Sequence, residues 1–212
     1  YTPRLEPIPL PLASSHYQLQ ISQPGQLRHL QWQQCEALQA GPGQIRVDVQ
    51  ATGLNFRDVM YALGLLSDEA LEQGFAGPTL GLEFAGTVSA VGTGVTGYQP
   101  GDRVLGFGPA SFAAQVVTSA SAVAHLPAQI DFAAAATIPS TFFTAYYALH
   151  QLAQLEAGET VLIHGAAGGV GIAASGGTAT VLATNPDEVI IATGGLPAGL
   201  AGVPRIDVLR LE

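Results

Sequence analysis

At 212 residues, 48% hydrophobic and with a net charge of −9, the chain is long enough to bury the core of one or two globular domains. Its seven basic residues are all arginine and scattered, so no basic stripe is available to displace counterions, which argues against a nucleic-acid partner. No apolar run reaches the roughly 18 residues of a membrane span and no leader-like segment opens the chain, so a cytoplasmic protein with no membrane partner is expected, while a lone Cys35 excludes a disulfide framework and a multi-cysteine zinc site.

Residues 1–16 carry prolines every few positions and read as an extended lead-in or linker. The first residue is Tyr1 and the only methionine is Met60, so the chain reads as a piece of something longer. From Tyr17 the pattern changes. Residues 17–21 and 44–50 alternate apolar with polar and predict half-buried strands, divided by turn signals at Pro24-Gly25 and Gly41-Pro42-Gly43. Further strands are predicted over 82–88, 103–105 and 112–118, with Gly94, Gly97 and Pro100-Gly101-Asp102 between them. Residues 17–125 therefore read as one β domain, a partly open barrel.

At Asp131 the period switches to that of a helix. Asp131 to Thr137 predicts a short capped helix stopping before Pro139, and 140–155 predicts a second. Phe142, Phe143, Tyr146, Leu149 and Leu152 give the second helix an apolar stripe, read as core. Gly158 ends it. Val161-Leu162-Ile163 then has the short β-branched character of a parallel strand, and Ala166-x-Gly168-x-x-Gly171 follows directly. A glycine turn between a strand and a helix lets a backbone approach a diphosphate closely, and a helix starting near Val170 would aim its free N–H groups at the phosphates.

Five motifs in register carry a family resemblance: Gly53-Leu-Asn-Phe-Arg-Asp-Val-Met60, Gly81-Leu-Glu-Phe-Ala-Gly86, Gly101-Asp-Arg-Val104, Thr144-Ala-Tyr-Tyr147 and His164-Gly-Ala-Ala-Gly-Gly-Val-Gly171. From about Tyr17 to Ala174 the chain resembles the enoylreductase domains of modular polyketide synthases, in the medium-chain dehydrogenase/reductase superfamily close to the quinone oxidoreductases. The resemblance implies a mixed β and α/β chain: a GroES-like barrel, then an incomplete Rossmann-type domain over 126–212. It implies NADPH as cofactor, an enoyl thioester on an acyl carrier protein as substrate, and neighbouring synthase domains as partners. It also implies no catalytic zinc, because Asn55 stands where zinc-dependent members place a cysteine and Leu82 where they place a histidine.

Residue by residue, the resemblance puts Asn55 and Thr144 beside the nicotinamide and gives Ala167, Gly168, Gly169, Val170 and Gly171 to the pyrophosphate turn. Other readings stand beside these: Asn55 as the N-cap of a helix, Thr144 as an ordinary helix residue, His164 as packing, and Arg57 with Asp58 as an exposed pair or mutual salt bridge. No catalytic residue is assigned. Leu65-Leu66 occupies the place where many such reductases carry a tyrosine, Tyr61 falls at a normally apolar position, and the chain contains no lysine.

After Ala174 the resemblance ends. Ser175 to Thr180 breaks the helix pattern, and 185–197 instead resembles the strand and Ala-Thr-Gly turn of the 2,4-dienoyl-CoA reductase group. A chimera, a rearranged gene and a spliced product each account for this. With about 40 residues beyond the turn, a six-stranded cofactor domain is not expected, and an exposed apolar face and unpaired sheet edge would make the chain poorly soluble or dependent on a partner. The absence of an acidic residue past the second strand favours NADPH. Two alternatives remain, a stand-alone quinone oxidoreductase and an inactive scaffold fragment.

Overall fold

The computed structural model describes residues 8–10, 15–155, 163 and 168–174. The described chain divides into two compact units, Tyr1–Pro139 and Ser140–Glu212.

The first unit is built on alternation. Strands β1 (Tyr17–Ile21) and β2 (Leu30–Gln34) form an antiparallel pair, and β3 (Gln44–Thr52), β4 (Glu83–Val91), β5 (Arg103–Phe107), β6 (Gln115–Ser119) and β7 (Val123–His125) form a second sheet. Its order is β6-β3-β4-β5-β7, with every neighbour antiparallel. Residues of one parity meet inside: Ile45, Val47, Phe84, Val88, Val104 and Val116 are at most 2% exposed. A single sheet closes off one face this completely by curving on itself, as a partly open barrel does. Each of these side chains contributes about 1.5–3 kcal/mol by leaving water. The β1–β2 pair joins the larger sheet near the start of β6, where Leu19 N–H donates to the Phe112 carbonyl and Ala114 N–H to the Tyr17 carbonyl.

Between β3 and β4 lie α1 (Phe56–Ala62) and α2 (Asp68–Gln73), the latter capped by Ser67, whose hydroxyl accepts the Ala70 N–H. Helix α1 buries Asp58, Tyr61 and Ala62, at spacings of three and four residues, and turns Phe56, Val59 and Leu63 outward. The Arg57 guanidinium donates to the carbonyls of Gly77 and Thr79 and lies 5.2 Å above the Tyr61 ring, fixing the loop before β4 to α1. After β7, α3 (Phe132–Ala135) starts on Asp131, whose Oδ1 accepts the Ala134 N–H, so the expected cap is present.

In the second unit, α4 (Ile138–Tyr146) begins in the last two residues of the first unit, with Pro139 in its opening turn, where a missing N–H costs nothing. It continues as a π-helix, Tyr147–Leu152, in which Ala153 N–H reaches back five residues to Ala148. Phe142 and Leu149 pack against Ala145, but Phe143, Tyr146, Tyr147 and Leu152 are exposed, so the aromatic stripe is only partly core. Helix α5 (Gly169–Ala174) lays Ala173 and Ala174 on the same cluster. Of the strand expected at 161–163 only Ile163 is described, packed on that cluster, and 175–212 lie outside the described residues. Among the described residues no helix is long and apolar enough to cross a membrane.

Candidate active site

Asn55 sits at the N-terminus of α1, in extended conformation, so it does occupy the N-cap position. It shares a capping box with Asp58, whose Oδ2 accepts the Asn55 N–H at 3.0 Å. Yet its amide also has a distant partner. Nδ2 donates to Glu83 Oε1 at 2.8 Å, across 28 residues of sequence. The residue is thus a cap by its backbone and a neighbour of a carboxylate by its side chain.

Glu83 is 3% exposed and was not singled out by sequence reasoning. A lone glutamate in the apolar run of β4 reads as an outward strand residue, and the only available signal was its place among inward-facing neighbours. Its main-chain carbonyl is a point of convergence: the hydroxyls of Thr52 and Ser111 lie 2.8 and 2.9 Å from it, and Gly53 N–H 3.4 Å. Gly53 is required there, because an added Cβ would stand 2.5 Å from Glu83 Oε1 and 2.6 Å from the Ala136 carbonyl. Ser111 is fully buried and follows Ala110, whose φ of 60° bends the chain inward.

Of the two expectations for Arg57 and Asp58, the mutual salt bridge is present and the exposed pair is not. Asp58 is 2% exposed and accepts from Gly81 N–H (2.8 Å) as well as Asn55 N–H, while Arg57 is spent on loop carbonyls; their charged atoms lie 3.8 Å apart. Gly81 has φ +93°, and a Cβ on it would meet Ser111 Oγ at 2.4 Å. Tyr61 is buried with its hydroxyl donated to the Pro78 carbonyl at 2.8 Å, so it is committed structurally. Leu65 is 62% exposed, and Leu54, Phe56, Val59 and Leu63, along and beside α1, are exposed as well.

In the second unit, Thr144 is exposed and donates its hydroxyl proton to the Ser140 carbonyl one turn back, at 2.7 Å. Among the described residues no group donates to its oxygen. Gly168, Gly169 and Val170 are exposed and Gly171 is buried; α5 begins at Gly169, one residue before the predicted start. A Cβ on Gly169 would lie 3.1 Å from Thr141 Cγ2. Ala167 and His164 lie outside the described residues. Among the described residues no cluster of three or more His, Cys, Asp or Glu is placed to hold a metal.

Comparison with known proteins bears on this arrangement. The family model of the alcohol dehydrogenase GroES-like domain matches residues 41–193. The pikromycin polyketide synthase component PikAII of Streptomyces venezuelae is 44% identical over 172 residues, covering 79% of this chain and 4% of that protein. Among solved structures, the CurK enoyl reductase is 42% identical with a TM-score of 0.71, over 76% of this chain and 50% of its own. A quinone oxidoreductase of Pseudomonas syringae pv. Tomato DC3000 is 34% identical with a TM-score of 0.64, over 77% and 49%. This chain therefore spans about half the length of those reductases and a small part of the synthase. On the family match and these likenesses, the chain belongs to the alcohol dehydrogenase GroES-like domain family and, within it, to the enoylreductase domains of modular polyketide synthases.

Proposed function

We propose that the chain carries the barrel and the cofactor turn of an NADPH-dependent, zinc-independent enoylreductase, acting on an α,β-unsaturated thioester presented by an acyl carrier protein within a synthase module. Its parts are an extended lead-in over 1–16, a GroES-like barrel over 17–125 and an incomplete Rossmann-type nucleotide-binding portion over 126–212. The observation that carries the reading is the Asn55–Glu83 pair: a neutral amide held by a carboxylate heads α1, at the position where zinc-dependent relatives place a thiolate.

The residues of the turn suit a dinucleotide. Gly168 and Gly169 are exposed at the start of α5, and the missing side chain at Gly169 lets the helix start pack closely on Thr141. When bound, NADPH supplies hydride to the β-carbon of the enoyl thioester while a proton reaches the α-carbon, giving the saturated thioester and NADP⁺. The main-chain N–H groups of Ala167 to Gly171 bind the diphosphate. The Asn55 amide and the Thr144 hydroxyl orient the nicotinamide, Thr144 as an acceptor because its proton is already donated. The exposed apolar side chains of Leu54, Phe56, Val59, Leu63 and Leu65 exclude water and suit an acyl chain. Tyr61 does not deliver the proton, since its hydroxyl is buried on Pro78.

Fluorescence titration with NADPH tests the cofactor assignment: binding is expected, weakened by Asn55→Ala. If neither this chain nor the full-length protein carrying it binds NADPH, the assignment fails. The likeness to the Pseudomonas enzyme favours a quinone oxidoreductase as the second reading, and faster turnover of a small quinone than of a crotonyl-type thioester would select it.

A further inference from the structure

Resting on the reading of Asn55 as a cofactor contact, we propose that Glu83 is a positioning residue that fixes which end of the Asn55 amide faces a bound ligand. An amide side chain has two nearly isosteric ends, one a donor and one an acceptor, and nothing in its shape selects between them. A carboxylate does select. As an acceptor it draws the NH₂ end to itself, and here Asn55 Nδ2 lies 2.8 Å from Glu83 Oε1; the flipped amide would set two oxygens against each other at that distance. The carbonyl end is thereby turned away from Glu83, and the second N–H of the amide has no hydrogen-bond partner among the described residues.

The device works only if Glu83 cannot move, and three features immobilise it. The hydroxyls of Thr52 and Ser111, themselves 3.0 Å apart, converge on its carbonyl oxygen. Gly53 removes the Cβ that would displace the carboxylate. The side chain is 3% exposed, which keeps water from competing for Asn55. Burying a carboxylate is costly, so a glutamate kept there for packing alone would be better replaced by an apolar residue.

The experiment follows the Asn55 side-chain NH₂ resonances in ¹⁵N-labelled protein, assigned with Asn55→Ser, alongside NADPH titration. In the parent the two protons are expected well separated, one shifted downfield by the carboxylate. Glu83→Gln, which keeps an acceptor of the same shape, retains the separation in reduced form and weakens NADPH binding by about threefold to tenfold; Glu83→Leu collapses it to the free-amide position. In an Asn55→Ala background, Glu83→Gln has no further effect on the dissociation constant. Should Glu83→Leu fail to fold, Glu83→Gln and the double-mutant cycle decide alone. Asn55 resonances unmoved by Glu83→Gln, or effects that simply add in the cycle, overturn the proposal. Resonances that respond in a protein that does not bind NADPH leave the positioning role standing and remove the cofactor reading.

Discussion

The two units hold their candidate site residues by different means. In the first, the local capping box of Asn55 with Asp58 is tied in turn across long stretches of sequence: Glu83 to Asn55, Ser111 to Glu83, Gly81 to Asp58. In the second, Thr144 is bonded within its own helix, and the described part of the glycine turn rests on alanine packing and a local Ile172 to Gly168 bond. A site fixed by distant tertiary bonds is only as good as the whole fold, whereas one fixed by a helix needs only that helix. Damage near Asn55 should therefore register as lost stability, and damage at Thr144 as lost affinity.

The largest effect is expected from Asp58→Ala. It leaves the N–H groups of Asn55 and Gly81 without partners in a buried place, which should cost about 2–4 kcal/mol in urea unfolding. Gly81→Ala comes next, at about 1–3 kcal/mol, because it combines a left-handed φ with a clash against Ser111. Ser111→Ala removes one of the donors to Glu83 and should cost about 1 kcal/mol while also moving the Asn55 amide resonances. Thr144→Val should change stability by no more than about 0.5 kcal/mol, yet raise the NADPH dissociation constant severalfold. A Thr144→Val protein as unstable as Asp58→Ala would erase the distinction between the units.

The same distinction explains what could be read before the structure. Alternation located β1, β3, β4 and β5 because period-two patterning is local, and Asp131 announced α3 because a cap is a two-residue signal. Strands β2 and β7 escaped: Leu30–Gln34 is mostly glutamine, and Val123–His125 is too short to show a period. Helix α2 escaped too, because Asp68–Gln73 carries no apolar stripe. Glu83, Asp58 and Ser111 could not be assigned their parts because their partners lie 23 to 28 residues away in sequence. Asn55 was legible as a motif position and as a cap, and the structure makes both readings compatible by giving backbone and side chain separate partners. The aromatic stripe was only partly core because Phe143 and Tyr146 already face outward within α4, and the π-turn changes the angular step only for residues after Tyr146, such as Leu152.

Arg103 shows what a chain gains from using guanidinium alone as its cation. Its fork gathers the carbonyls of Pro127, Ala128 and Ile130 while its plane lies 4.6 Å over the Phe132 ring, so β5 is clipped to the segment that leads out of the sheet into α3. An ammonium group, compact and tightly hydrated, could neither span those oxygens nor stack on that ring. In this protein the positive side chains of Arg57 and Arg103 serve as fasteners for loop backbone.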